Sequence, residues 1–186
     1  MKKWLYELIY RLVPVDWIFG PSSQLEHFVD TVIDDKIQSG SAITLGCGVG
    51  RETIYLAERG FSVIGVDFSP TAIQKARRRA KEKGIEVEFI VDDLTNLQHT
   101  SGNYDLVMDF GALNDLSQAA RDLYMKNVLP LTKPGGYYVM FSFDRMLSPD
   151  EVTQRFGEHF LIEVLHKRPG NQFPGVLRLY CMTRKP

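Results

Sequence analysis

The fold is decided by the stretch Ala42-Ile43-Thr44-Leu45-Gly46-Cys47-Gly48-Val49-Gly50. Its first four residues are apolar or β-branched, which predicts a buried strand, and its glycines predict a tight turn. Apolar residues at helical spacing from Arg51 to Arg59, followed by Gly60, predict a helix directly after the turn. Glycines in this position let a ligand approach the main chain, and the first N–H groups of the helix are free to donate to it. The stretch therefore predicts a ligand-binding turn in the first strand–turn–helix unit of an α/β protein.

The same alternation of short strands and longer helices continues along the chain. Strands are predicted at residues 61–67, 85–91, 104–110 and 137–143, and helices at 4–12, 22–37, 70–83 and 117–131. The chain ends with a predicted helix at 149–156 and a predicted hairpin of strands at 160–166 and 176–183. Strands that alternate with helices predict a parallel sheet with crossover helices.

Composition and charge narrow the class of protein. The chain has 186 residues, 44% of them hydrophobic, with 22 basic and 23 acidic groups and two cysteines. This length predicts one domain, residues 1–186, with a core that needs neither disulfides nor metal. Near-neutral charge argues against a dedicated nucleic-acid binder, and two distant cysteines indicate a reducing cytoplasm. We expect a cytoplasmic monomer or homodimer with no nucleic-acid and no membrane partner.

An amphipathic helix is predicted at the amino end. Trp4, Leu5, Leu8 and Leu12 recur on one face before Pro14. This face either packs on its own domain or lies on a membrane surface, and we expect it to pack on the domain.

The spacing of the glycines separates two classes of cofactor. A dinucleotide site needs G-x-G-x-x-G, but counting from Gly46 the third glycine position holds Arg51, and the spacing is G-x-G-x-G. Asp67 ends the second predicted strand, where a carboxylate accepts hydrogen bonds from both hydroxyls of a ribose. The alternative for Asp67 is a charge that interacts with the dipole of the following helix.

These residues together resemble the class I S-adenosylmethionine-dependent methyltransferases. The matching segments are residues 45–50 and 63–70 for the first two motifs, 91–94 for the acid after the third strand, 104–111 for the fourth strand and 129–136 for the turn before the fifth. The resemblance implies a Rossmann-like, doubly wound, mostly parallel seven-stranded sheet, with an antiparallel C-terminal strand and helices on both faces.

The resemblance also implies a set of site residues. S-adenosylmethionine is the implied cofactor and a small molecule the implied methyl acceptor. The implied cofactor-binding residues are Gly46, Cys47, Gly48, Gly50, Arg51, Asp67, Phe68, Asp93, Leu94 and Asp109. Phe68 would face the adenine and Asp93 would accept from its amino group, with Asp92 as the alternative. Asp109 and Asn114 are the implied catalytic residues, which orient the acceptor or take its proton.

Within the superfamily, the chain most resembles small-molecule methyltransferases of the thiopurine and tellurite-resistance type. Residues 15–20 are similar to their N-terminal tryptophan segment, which implies that Trp17 and Phe19 cover the substrate. The alternative is an apolar plug under the sheet. We therefore divide the domain into a cover, residues 1–39, and a cofactor-binding core, residues 40–186.

One position departs from the family pattern. Thr44 stands where the family usually has the acid that supports the methionyl amine of the cofactor. Either Glu52 or another acid replaces it, the cofactor binds weakly, or the pocket serves a non-catalytic S-adenosylmethionine-binding or sensing module.

An RNA methyltransferase is disfavoured, because the basic stretch at 74–83 is typical of the solvated face of a helix. The histidines and cysteines show no metal-binding spacing.

Overall fold

The structure is a computed structural model that describes residues 3–13, 37, 39–109, 111–169 and 176–186, the side chains of 165–169 excepted. Its helices are α1 (Lys3–Leu12), α2 (Arg51–Glu58), α3 (Pro70–Lys83), α4 (Gln118–Val128) and α5 (Pro149–Phe156). Its strands are β1 (Ser41–Leu45), β2 (Ser62–Asp67), β3 (Glu88–Val91), β4 (Tyr104–Asp109), β5 (Thr132–Phe143), β6 (Phe160–Pro169) and β7 (Val176–Arg184). Two 3-10 turns lie at Leu113–Asp115 and Leu129–Leu131.

The strands of the described residues form one sheet in the order β3-β2-β1-β4-β5-β7-β6. Strands β1 to β5 are parallel, and β7 is inserted antiparallel between β5 and β6. The predicted α/β fold, with its antiparallel C-terminal strand, is therefore confirmed. Strand order reverses between β1 and β4, and ligands of open α/β sheets bind beside the carboxyl ends of the strands at such a switch point.

Apolar side chains cover both faces of the sheet. In β4, Val107 packs with α4 and α5 on one face, whereas Leu106 and Met108 pack with α2 on the other. Because successive strand residues point to opposite faces, one apolar strand contributes to both layers. Helix α3 is capped by Ser69, whose hydroxyl accepts from the amide of Ala72 at 3.0 Å, as expected for a serine at this position.

Some element boundaries differ from the predictions. Strand β3 begins only at Glu88, and β5 begins earlier than predicted, at Thr132. The predicted helix at 117–131 ends at Val128 and continues as a 3-10 turn, because Pro130 cannot donate a helical hydrogen bond. The helix predicted at 22–37 lies almost entirely outside the described residues.

Helix α1 is oriented opposite to the prediction. Trp4, Leu8 and Leu12 are 63%, 43% and 72% exposed, so the expectation that these three residues pack on the domain is wrong. Leu5, the fourth residue of the predicted face, is half-buried. The inward face instead carries Glu7, which accepts from the Ser69 and Thr71 hydroxyls, and the buried Tyr10. Among the helices that the structure describes, none has the length and apolar character needed to span a bilayer.

Candidate functional site

The glycine-rich turn lies at the carboxyl end of β1. Gly46, Gly48 and Gly50 have φ values of 65°, 53° and 78°, in the left-handed region that favours glycine. A Cβ on Gly46 would lie 2.8 Å from the Ala112 side chain, and one on Gly48 would lie 2.9 Å from the Tyr10 hydroxyl. The turn is therefore bordered by the loop after β4 on one side and by α1 on the other.

Asp67 joins the end of β2 to this turn. Its carboxylate is buried and accepts hydrogen bonds from the backbone amides of Gly48 and Ser69, both at 2.9 Å. Burial raises the pKa of Asp67 to about 6, against the lowering effect of these two hydrogen bonds. The fold thus brings the predicted ribose acceptor into direct contact with the predicted cofactor-binding turn.

The other residues of the turn have different environments. Cys47 is buried, and burial raises the pKa of its thiol well above the ordinary value, so the thiol stays protonated at neutral pH. Arg51 is the first residue of α2. Glu52 lies in the first turn of α2, directly after the glycine-rich turn.

Thr44 offers no charge to the site. Its buried hydroxyl lies 2.6 Å from the hydroxyl of Thr53, which is also buried. The two threonines therefore hydrogen-bond each other beneath the turn, where the resembling family has a carboxylate.

The predicted adenine contacts lie next to α1. The rings of Phe68 and Tyr6 meet edge to face with centroids 6.0 Å apart, and the Lys3 ammonium lies 6.0 Å from the Phe68 centroid. Lys3 also forms an ion pair with Asp93. Burial raises the pKa of Asp93, but hydrogen bonds from Lys3 and Thr95 outweigh it and the net shift is downward. Helix α1 thus touches both residues that the resemblance assigns to adenine.

Two neighbours of Asp93 face the protein interior. Asp92 is buried and accepts from the backbone amides of Asp93 and His99 at 2.9 Å, and from that of Gln98. Leu94 packs in the core. Asp93 also accepts from the amide and the hydroxyl of Thr95, but its side chain is 35% exposed, whereas Asp92 is buried.

Asp109 ends β4 and holds the following loop. It is 1% exposed, and its carboxylate accepts from the amides of Gly111, Ala112 and Leu113 at 2.7–3.1 Å and from the Tyr124 hydroxyl at 2.5 Å. Burial raises its pKa, against the lowering effect of these hydrogen bonds. With four donors on one buried carboxylate, the arrangement suits the positioning of a loop.

Asn114 lies on that loop. It is buried, and its amide nitrogen donates to the carbonyl of Phe141 at 3.2 Å. Its amide oxygen has no hydrogen-bond partner among the described residues. A buried, unpaired acceptor is costly unless a ligand satisfies it, so Asn114 fits a ligand-binding role.

Sequence reasoning missed Arg121, Tyr6 and Tyr10. Arg121 is buried in α4 and donates to the carbonyls of Leu113 and Asn114 at 3.3 and 3.0 Å. Nothing local in the sequence marks it, because its partners lie in other elements. Tyr6 and Tyr10 could have indicated the inward face of α1. The apolar spacing of Trp4 and Leu8, however, predicts that the opposite face of the helix is buried.

Two predicted site residues cannot be placed. Trp17 and Phe19, the predicted substrate cover, lie outside the described residues, so their role stays a prediction. Among the residues that the structure describes, no cluster of histidine, cysteine or acidic side chains could hold a metal ion.

Comparison with known proteins extends these observations. Residues 42–136, just over half of the chain, match the family model described as a methyltransferase domain. The chain is 32% identical over 114 residues to a 2-heptyl-1-hydroxyquinolin-4(1H)-one methyltransferase of Mycobacteroides abscessus, which covers 61% of this chain and 50% of the relative. It is 25% identical over 130 residues to a probable thiol methyltransferase of Arabidopsis thaliana, covering 68% and 56%. The chain thus spans about half the length of these curated relatives.

Solved structures share the fold. A magnesium protoporphyrin IX methyltransferase from Synechocystis PCC 6803, solved with bound S-adenosylmethionine, superposes with a TM-score of 0.78 at 20% identity, over 98% of this chain and 97% of that one. An N1-methyltransferase from Burkholderia thailandensis superposes with a TM-score of 0.78 at 16% identity, over 97% and 86%.

Proposed function

Because the chain belongs to the methyltransferase domain family, we propose that it transfers the methyl group of S-adenosylmethionine to a small-molecule acceptor. The observation that carries this proposal is the contact of the Asp67 carboxylate with the Gly48 amide at the carboxyl edge of the sheet. It joins an acceptor for ribose hydroxyls to a turn that a ligand can approach closely.

Residues at the ends of three strands, β1, β2 and β3, would hold the cofactor. The main chain of the turn, from Gly46 to Arg51, would contact its methionyl part, and Asp67 its ribose. Phe68 would pack against the adenine, and Asp93, with the backbone of Leu94, would accept from the amino group. This assignment uses Asp93 rather than Asp92, because Asp92 is buried whereas the Asp93 side chain is 35% exposed.

A negative charge for the methionyl amine would come from Glu52. Thr44 cannot supply it, because its hydroxyl is neutral and paired with Thr53. Glu52 lies in the first turn of α2, directly after the glycine-rich turn. A carboxylate there compensates for the missing family acid from a different position.

The loop after β4 would orient the acceptor. The unpaired amide oxygen of Asn114 accepts a hydrogen bond from it, and Asp109 positions the loop through its four donors. S-adenosylmethionine supplies a methyl group that is already activated, so alignment of the acceptor and exclusion of water are the main tasks of the protein. Tyr6 and Tyr10, together with Trp17 and Phe19, would exclude that water.

The acceptor would be one that ionises readily. Asp109 already receives four hydrogen bonds, so its carboxylate is poorly suited to remove a proton from an alcohol or amine. A thiol or an N-hydroxy group loses its proton without a strong base, and two relatives are named for acceptors of these kinds.

Both cysteines are free and buried, which supports the cytoplasm as the proposed compartment.

Calorimetry and a transfer assay test this function. We expect S-adenosylmethionine and S-adenosylhomocysteine each to bind with one site per chain. We expect methylated product from a panel of thiols and N-hydroxyquinolones, detected by mass spectrometry. Absence of binding by both cofactors would overturn the proposal. Binding without transfer across thiol, hydroxyl, amine and halide panels would favour a sensing module instead.

A further inference from the structure

Tyr6 lies between the two halves of the proposed site. Its ring meets the ring of Phe68 edge to face, with centroids 6.0 Å apart, and its hydroxyl donates to the carboxylate of Asp115. Phe68 follows β2 on the cofactor side, whereas Asp115 ends the 3-10 turn in the loop after β4. One side chain of α1 therefore contacts both a residue assigned to adenine and the loop that carries Asn114.

Helix α1 is fastened to the cofactor side of the site. Glu7 accepts from the hydroxyls of Ser69 and Thr71 at the start of α3. Lys3 forms an ion pair with Asp93, which follows β3. Because these contacts lie beside the ends of both β2 and β3, a ligand that restrains the residues at these two strand ends also restrains α1.

The loop after β4 has separate anchors in the body of the domain. Asp109 accepts from the backbone amides of residues 111–113, and Arg121 donates to the carbonyls of Leu113 and Asn114. These anchors belong to β4 and α4. The hydroxyl of Tyr6 reaches the same loop from α1, and so links it to the cofactor side.

The glycine-rich turn also approaches this loop, but at a different point. A Cβ on Gly46 would lie 2.8 Å from the Cβ of Ala112. Ala112 is near the start of the loop, whereas Asp115, the partner of Tyr6, directly follows Asn114. Tyr6 therefore holds the part of the loop that carries the residue proposed to bind the acceptor.

The Tyr6 hydroxyl acts as a donor at neutral pH. Burial, together with the hydrogen bond to Asp115 and the negative charges of Asp115 and Asp67, raises the pKa of Tyr6, so the phenol keeps its proton. A hydrogen bond to a carboxylate is stronger than one between neutral groups. This contact can therefore keep the loop in a fixed position relative to α1.

We propose that Tyr6 is a positioning residue that couples cofactor binding to order in the acceptor loop. The inference rests on the proposed function, because it requires adenine to bind at Phe68 and Asp93. Adenine restrains the Phe68 ring and, through it, Tyr6, whose hydroxyl then restrains Asp115 and the adjacent Asn114. An acceptor that meets an ordered loop has less conformational entropy to lose. It therefore binds the cofactor complex more tightly than the chain alone, and by linkage the effect is reciprocal.

Hydrogen exchange measured by mass spectrometry tests the proposal, with S-adenosylhomocysteine as the probe. Exchange is followed in peptides that cover residues 111–117, with and without the probe. Tyr6→Phe removes the hydroxyl but keeps the ring beside Phe68. Tyr104→Phe is the matched control, since it removes a hydroxyl that donates to the Ser101 carbonyl at 2.8 Å, at the other end of β4. Calorimetry measures the affinity of each variant for the probe.

We expect the probe to slow exchange in the loop about fivefold or more in wild type and in Tyr104→Phe. Tyr6→Phe should still bind the probe, but its loop exchange should stay nearly unchanged. Asp115→Ala removes the other partner and should behave in the same way. The double variant Tyr6→Phe, Asp115→Ala should lose no more protection than either single variant.

A conservative replacement distinguishes positioning from a general loss of structure. Asp115→Asn retains a side-chain oxygen that can accept from Tyr6, so it should keep part of the protection that Asp115→Ala loses. Circular dichroism confirms that each variant is folded. If Asp115→Ala does not fold, Tyr6→Phe, which deletes one oxygen at a half-buried position, decides the question with Tyr104→Phe beside it.

The results separate failure of the coupling from failure of the proposed function. Equal protection of the loop in wild type and Tyr6→Phe would overturn the coupling role and would assign it to another contact, such as the approach of Gly46 to Ala112. Binding of the probe to wild type with no change in loop exchange would also overturn it. Absence of binding to wild type would overturn the proposed function and this inference together.

Discussion

The carboxylate of Asp67 accepts a hydrogen bond of 2.9 Å from the backbone amide of Gly48, although these residues belong to neighbouring strand ends. The second oxygen accepts from the amide of Ser69. A carboxylate offers about four acceptor sites, so both oxygens keep capacity for ribose hydroxyls. One side chain therefore fastens the turn and remains able to bind a ligand.

Replacement of Asp67 tests whether its carboxylate accepts the ribose hydroxyls of the cofactor. Asp67→Asn and Asp67→Ala should weaken binding of S-adenosylmethionine by about 10- to 100-fold, because hydrogen bonds to a charged group contribute roughly 1.5–3 kcal/mol. Calorimetry measures the affinity. Asp105→Asn is the matched control, since Asp105 lies at the opposite end of the sheet and pairs with Lys133. Unchanged affinity of the Asp67 variants would contradict the ribose assignment.

The raised pKa of Asp67 predicts a pH-dependent stability. Burial raises this pKa from 3.8 to about 6, so ionisation costs the folded state more than the unfolded one. Stability is therefore lost as pH rises from about 4 to 6, by roughly 3 kcal/mol for this one group.

Urea unfolding of the chain without cofactor measures this loss. Between pH 4 and 7 the free energy of unfolding of Asp67→Asn, relative to wild type, should increase with pH. Other acids with lowered pKa values, such as Asp105, act in both proteins and cancel in the difference. Parallel profiles for the two proteins would show that burial does not raise the Asp67 pKa.

Gly48 should be intolerant of a side chain for two separate reasons. Its φ is 53°, and a Cβ would lie 2.9 Å from the Tyr10 hydroxyl. Gly60 also has a positive φ, 85°, but a Cβ there meets no atom within 4 Å. Gly60→Ala should therefore cost only the backbone term, about 1 kcal/mol, whereas Gly48→Ala should cost more and should weaken cofactor binding.

Removal of the Tyr10 hydroxyl should partly rescue Gly48→Ala. The double variant Gly48→Ala, Tyr10→Phe should recover stability relative to the single Gly48→Ala variant in thermal unfolding, because the crowded oxygen is gone. Strictly additive effects of the two substitutions would mean that α1 does not contact the turn in this way.

Local sequence patterns were sufficient to predict the core of the fold. Strand β1, the turn at 46–50 and Asp67 were predictable because a strand end, a glycine turn and a helix cap are each set by neighbouring residues. The orientation of α1 was not predictable in this way. Glu7 is held by Ser69 and Thr71, more than 60 residues away, and no periodicity within residues 3–12 encodes those partners. Arg121 was missed for the same reason.

Glu52 should replace the missing family acid. Glu52→Gln should raise the dissociation constant for S-adenosylmethionine, about fivefold or more if a charge contribution near 1 kcal/mol is lost. Glu58→Gln is the matched control on the same helix, because Glu58 lies at its other end and pairs with Lys83. Equal affinities of the two variants would remove Glu52 from the proposed site, and Thr44→Asp would then test whether a carboxylate at the family position restores tighter binding.

Arg121 should position the acceptor loop. Its guanidinium donates to the carbonyls of Leu113 and Asn114, and it forms an ion pair with Glu151 at 2.8 Å. Lysine keeps the positive charge but cannot reproduce these directed contacts, so Arg121→Lys should lower the free energy of unfolding by about 1–3 kcal/mol. It should also lower kcat more than cofactor affinity, because the loop that carries Asn114 loses its anchor.

Arg155 provides the matched control for Arg121. It pairs with the same carboxylate, Glu151, also at 2.8 Å, but its other partners are the side chains of Asp122 and Gln118. Arg155→Lys should therefore weaken the ion-pair network and lower stability while kcat stays unchanged. Single-turnover methyl transfer at saturating cofactor separates the two variants. If both variants lower kcat in proportion to their loss of stability, Arg121 has a structural role only. If Arg121→Lys alone slows transfer in the folded protein, the contacts of Arg121 with the Leu113 and Asn114 carbonyls set the geometry of the acceptor site.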